Sequence, residues 1–122
     1  EYEIAGSGLY RLLVTATRAA KIETDNPDLE MTDETLLELW SKVKEDYPDG
    51  HVPTREDIYR IFAPLNEGVV SKAITAQYLS GMISGELPPV KGNDEMKGKV
   101  KGIIETDDRM KYLKEAIEYV TA

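Results

Sequence analysis

The stretch TREDIYRIFAPLNEGVVSKAITAQYLSGMISGE, residues 54–86, reads as helix, short turn, helix. Thr54 is placed to cap the first helix, and Asp57 stands where a capping box puts an acid. Ile58, Ile61, Phe62 and Leu65 recur at three- and four-residue spacings and make a buried face. Pro64 restricts Ala63, so the helix ends or kinks there. Asn66-Glu67-Gly68 is the turn, Val69 to Ser84 the second helix, and Gly85 its stop. On a helical wheel, Val69, Ala73, Ala76 and Ile83 share one face, with Val70, Ile74 and Tyr78 opposite. Ser71, Lys72 and Thr75 lie on one edge and Gln77 on the other. A helix apolar on two sides belongs at the centre of its domain. A major-groove reader needs one open polar and basic face, so the stretch reads more as core than as contact surface.

Working outward toward the N-terminus, Leu9 to Lys21 carries Leu9, Leu12, Leu13, Ala16, Ala19 and Ala20 at helical spacing. That pattern predicts an amphipathic helix with a small-residue face, capped by Ser7 or Gly8. Glu23 to Glu30 is an acidic loop turned by Asn26-Pro27. It lacks the central glycine of a calcium loop, so no metal is expected. Thr32 caps the next helix, Asp33 and Glu34 sit at its positive end, and Met31 staples onto Leu36. Leu36, Trp40, Val43 and Tyr47 form one stripe, with Trp40 as core anchor. Tyr47-Pro48-Asp49-Gly50 closes that helix. His51, the lone histidine, has no second histidine or cysteine to form a site with.

Toward the C-terminus, Leu87-Pro88-Pro89-Val90 is expected to be extended. Lys91 to Glu105 admits two readings. As a β-wing, Gly92-Asn93 lies near its turn and Lys99 to Glu105 returns as a strand. As a helix, Asn93 caps, Asp94 and Glu95 fill the first turn, and Met96, Val100, Ile103 and Ile104 share a face. Gly98 and Gly102 each cost such a helix about 1 kcal/mol, although glycines four apart also admit a close neighbour. The cap favours helix. Thr106 then caps a closing helix that runs to Val120.

The 122 residues suit one domain with a modest core. The opening Glu1 points to a helical domain excised from a larger protein. Cysteine is absent, which excludes disulfides and thiolate chemistry and fits a cytoplasmic location. No apolar run approaches the roughly 20 residues of a membrane span, so no membrane partner is expected. The net charge of −8 is concentrated: Glu23 to Asp49 holds ten acids against two bases, and the flanks nearly cancel. Segregated acidity leaves room for an anionic partner elsewhere on the surface.

No phosphate-binding glycine loop, nucleophile elbow or zinc motif occurs. No cofactor is expected, and the chain is not expected to be an enzyme by itself, although it suits an accessory domain of one. Arg55, Arg60, Lys72, Lys91, Lys97, Lys99 and Lys101 are candidates for one basic surface able to hold DNA phosphates. The alternative is that they are scattered solubilising charges.

The order of elements resembles winged-helix domains: a helix, TREDIYRIFAPL, a tight turn, SKAITAQYLSGMISGEL, a lysine- and glycine-containing segment, KVKGIIE and a closing helix. The C-terminal DNA-binding domains of archaeal origin-recognition initiators share this layout. The resemblance covers Thr32 to Val120 and rests on layout, not on a diagnostic motif. It implies that Ser71, Lys72, Thr75 and Gln77 face bases and that Lys97, Lys99 and Lys101 contact phosphate. The expected fold is a mainly α bundle of five or six helices with a helix-turn-helix core, with or without a two-stranded wing. Two functions are carried forward. One is a nucleic-acid-binding module of a replication or regulatory protein; the other is a helical interaction domain whose acidic face docks a basic partner.

Overall fold

The computed structural model describes residues 9–48 and 53–106, with side chains as far as residue 103. Five helices occur in it: α1 (Tyr10–Asp25), α2 (Asp33–Asp46), α3 (Arg55–Asn66), α4 (Lys72–Ile83) and α5 (Asp94–Thr106). No strand occurs among the described residues, so the two-stranded wing is not formed there.

The centre of the bundle is α1. Leu12, Leu13, Val14, Thr15, Ala16, Ala19 and Ala20 are all buried, so this helix is covered on most sides. Ala16, Ala19 and Ala20 are completely inaccessible, and their small side chains let neighbouring helices close on the α1 backbone. Thr15 tolerates burial because its hydroxyl donates to the Arg11 carbonyl at 2.8 Å. α1 packs chiefly on α4 and α2 and more lightly on α3. α3 and α4, the expected helix-turn-helix pair, make few contacts with each other. Each rests on α1 instead, and the hub lies two helices before the 54–86 stretch. α1 also runs four residues past Lys21, taking in Glu23 to Asp25, which the sequence pattern places in the loop.

Local signals are realised where side-chain chemistry enforces them. The Thr32 hydroxyl accepts from the Thr35 amide at 3.2 Å. Thr54 and Asp57 form a reciprocal capping box, at 3.1 and 3.0 Å. Asn93 caps α5 by accepting from the Met96 amide at 3.0 Å, and the stretch after Lys91 is therefore a helix. A side-chain carbon added at Gly98 or Gly102 would meet nothing within 4 Å. Thr106 belongs to α5; the rest of the expected closing helix, like Ser7, Gly8 and His51, lies outside the described residues.

Other elements depart from expectation. α3 continues through Pro64 to Asn66, because proline in the last turn forfeits only one amide bond. α4 begins at Lys72, not Val69, because the Ser71 hydroxyl accepts from the Ile74 amide at 3.2 Å and starts the helix there. α4 ends in a Schellman motif: the Glu86 amide donates to the Gly81 carbonyl at 2.9 Å and the Gly85 amide to Met82 at 3.1 Å. Gly85 holds the left-handed φ of 84° that this motif requires. The Leu87–Lys91 segment is a turn and not extended, closed by the Lys91 amide on the Leu87 carbonyl at 3.0 Å. Val90 plugs the core there. Trp40 is half-buried beside the core, with the Lys44 ammonium 5.9 Å from its ring; the α2 residues fully inside are Leu36 and Val43.

Candidate functional site: an acidic helix face and an aliphatic groove

α4 buries Thr75, Tyr78, Leu79 and Met82, a single stripe that shares only Tyr78 with the two apolar faces of the wheel. Ala73 and Ala76 are exposed. A helix with apolar residues on every side gives periodicity no face to select, and the partners choose it. Thr75 is 4% exposed, and its hydroxyl donates to the Ser71 carbonyl at 2.8 Å. It has no free polar group to offer a base edge. Ser71 is half-buried with its hydroxyl used as the cap. Of the four side chains implied to face bases, Lys72 and Gln77 are exposed.

Three of the seven cations of the expected basic surface stand in exposed ion pairs. Arg60 bonds Glu56 at 2.6 Å, Lys91 bonds Asp33 at 2.7 Å, and Lys99 meets Glu95 at 3.3 Å. Lys97 is exposed, and its alkyl chain lies over Gly85. Arg55 and Lys101 are exposed as well. Arg55 and Arg60 belong to α3, Lys72 to α4 and the others to the α4–α5 turn or α5, so the cations are spread over several elements.

The acidic region has a different character. Asp25 pairs with Lys21 at 2.9 Å, Asp46 with Arg18 at 2.8 Å, and Glu45 with Lys42 at 3.6 Å. Glu23 accepts from the Tyr78 hydroxyl at 2.9 Å. Asp28, Glu30, Glu34 and Glu38 are exposed and make no ion pair or side-chain hydrogen bond among the described residues. Between them stand two exposed leucines, Leu29 at 48% and Leu37 at 47%. Glu34, Leu37 and Glu38 are spaced i, i+3, i+4 and so share one outward face of α2.

A groove of about 800 Å³ opens between α1, α2, α3 and the α3–α4 connection. Its lining is mainly aliphatic: Val14 and Ile22 from α1, Leu39 from α2, Ile61 and Pro64 from α3, and Val69 after it. Arg18, Lys21 and Arg60 lie on its walls with Asp46 and Asp57. Both acids are engaged, Asp46 by Arg18 at 2.8 Å and Asp57 by the Thr54 amide at 3.0 Å. Sequence reasoning does not anticipate this groove. Its one signal is that Val14 and Ile22 are apolar yet fall outside the leucine–alanine stripe of α1.

Two tyrosines have raised pKa values. Burial pushes Tyr78 up to about 12, helped by the hydrogen bond to Glu23 and that carboxylate's charge. Tyr47, beside the groove, is raised first by burial and next by the charge of Asp57. Neither is set up to act as a base near neutral pH. No group of three or more acidic, histidine or cysteine side chains among the described residues is placed to hold a metal. No described helix is long and apolar enough to cross a membrane. Comparison with family models gives no match, and neither do comparisons with curated proteins or with solved structures.

Proposed function

We propose that this chain is a helical protein-interaction domain that docks a basic, leucine-bearing segment of a partner protein on the outer face of α2. The observation that carries the reading is Leu37, 47% exposed between Glu34 and Glu38, two carboxylates with no partner among the described residues. An exposed apolar side chain ringed by unneutralised charge of one sign complements a segment with an apolar anchor and flanking lysines or arginines. Leu29, between Asp28 and Glu30 in the preceding loop, repeats the pattern. Nucleic acid is the second reading. Its support is that Arg55, Lys72 and Lys97 are exposed cations with no ion pair among the described residues.

The deciding experiment titrates the protein with a synthetic lysine–leucine amphipathic peptide and, separately, with a DNA duplex, following backbone amide shifts by NMR. The docking reading expects peptide-induced shifts centred on Glu34, Leu37 and Glu38. Peptide affinity should fall about tenfold in Leu37→Ala and in the Glu34→Gln, Glu38→Gln double variant. Peptide binding indifferent to both changes would overturn it. Salt-steep duplex binding lost in Lys72→Glu with Lys97→Glu would put the nucleic-acid reading in its place.

A further inference from the structure

The geometry points to the groove between α1, α2 and α3 as a binding site for a small amphipathic carboxylate, an alkyl chain ending in an anionic head. The inference is separate from the α2 docking face and uses none of its residues. Three observations carry it.

The lining's exposed surface is mainly apolar. Val14, Ile22, Leu39, Ile61, Pro64 and Val69 line the groove. No buried side-chain nitrogen or oxygen among the described residues lacks a hydrogen bond. An alkyl chain can lie on this floor without burying a polar atom of its own.

The lining follows two helices. Val14 to Ile22 rises about 12 Å along α1, and Asp57 to Pro64 about 10 Å along α3. The volume of about 800 Å³ lies within the range of small-molecule pockets.

The lining itself carries three cations, Arg18, Lys21 and Arg60, against two acids, Asp46 and Asp57. Asp46 and Asp57 are held by Arg18 and the Thr54 amide. Among the described residues, Lys21 and Arg60 pair with Asp25 and Glu56, each four residues away on the same exposed helix surface and neither in the lining. Such exposed pairs contribute little and exchange readily for a better-placed carboxylate. The groove thus joins an aliphatic floor to two cations that a ligand head can recruit.

The test is calorimetric titration of the intact chain with octanoate, decanoate and dodecanoate, each below its micelle concentration, and with decanol. Affinity should rise up to about fourfold per added methylene while the chain fills the groove, and decanol should bind at least about tenfold more weakly than decanoate. Val69→Asp should abolish binding. Because Val69 is 47% exposed, the variant should keep its fold, checked by circular dichroism. Lys21→Gln with Arg60→Gln, both on exposed residues, should bring decanoate down to the affinity of decanol. Glu34→Gln with Glu38→Gln should leave decanoate binding unchanged, which separates this site from the α2 face. Equal binding of carboxylate and alcohol, or decanoate binding indifferent to both groove variants, would overturn the inference. So would a leucine-bearing acidic peptide seating in the groove where decanoate does not bind, since that would make it a protein-docking cleft.

Discussion

The Tyr78 hydroxyl donates to the Glu23 carboxylate at 2.9 Å, joining the middle of α4 to the C-terminal turn of α1 across 55 residues of sequence. The part of α1 beyond Lys21 thus supplies a carboxylate that serves as a tertiary acceptor for α4. Tyr78→Phe removes the bond and leaves a half-exposed carboxylate that water can solvate. The expected loss is about 1 kcal/mol, read as a fall of roughly 4 °C in the thermal midpoint.

The same pair predicts the alkaline limit of stability. Tyr78 titrates at about 12 in the folded protein against 10.0 for the free side chain. Between those values the unfolded chain binds fewer protons than the folded one, so stability falls as pH rises. The contribution is complete below pH 10.0 and is lost as pH passes through about 12. Urea unfolding at stepped alkaline pH should show this decline, and Tyr78→Phe should flatten it. An unchanged slope in the variant would mean that other groups set the alkaline limit.

Thr75 separates core from contact surface. Its hydroxyl is satisfied within its own helix, by the Ser71 carbonyl, and the side chain is 4% exposed. Thr75→Val keeps the shape, and the Ser71 carbonyl retains the Thr75 amide at 3.1 Å, so the change should alter stability by less than about 1.5 kcal/mol. Thr75→Arg forces a charge inward and should unfold the bundle. Thermal melts of both variants check this.

What can be read from the chain is what short-range chemistry decides. The Thr54–Asp57 box, the Thr32 and Asn93 caps and the Gly85 stop each follow from a side chain or a glycine acting on backbone within a few residues, and all four are present. Burial on α4 is not legible, because Ala73, Ile74, Tyr78 and Leu79 put apolar residues all round that helix and only packing on α1 selects the stripe. The hub is hidden for a related reason: Ala16, Ala19 and Ala20 look like a modest face in sequence, yet they are where the neighbouring helices close in. The groove has walls from three successive helices and the connection after them, and no local pattern encodes how they come together.

Two glycines on different backbones should respond with opposite sign. Gly98 is inside α5 with open space where a side-chain carbon would stand, so Gly98→Ala should stabilise by about 1 kcal/mol through helix propensity. Gly85 holds φ at 84°, and an added carbon there would come within 2.9 Å of the Lys97 Cε. Lys97 can swing away, but the left-handed backbone cannot relax without breaking the Schellman motif, so Gly85→Ala should destabilise by roughly 1 kcal/mol. Chemical denaturation of the two variants in parallel checks both signs.

The most severe single change is predicted at the hub. Ala19 is 0% exposed in the middle of α1, the helix on which α2 and α4 both pack. Ala19→Leu adds three carbons where no space exists, and either α2 or α4 has to move outward, at a cost of roughly 3 kcal/mol or more. Ala19→Gly removes one buried methyl and loses helix propensity, for a cost nearer about 1.5 kcal/mol. The larger residue, though the better helix former than glycine, should therefore be the more damaging. Denaturation midpoints in that order would place α1 at the centre of the bundle. The reverse order would mean that the surrounding helices yield easily and that the core is anchored elsewhere.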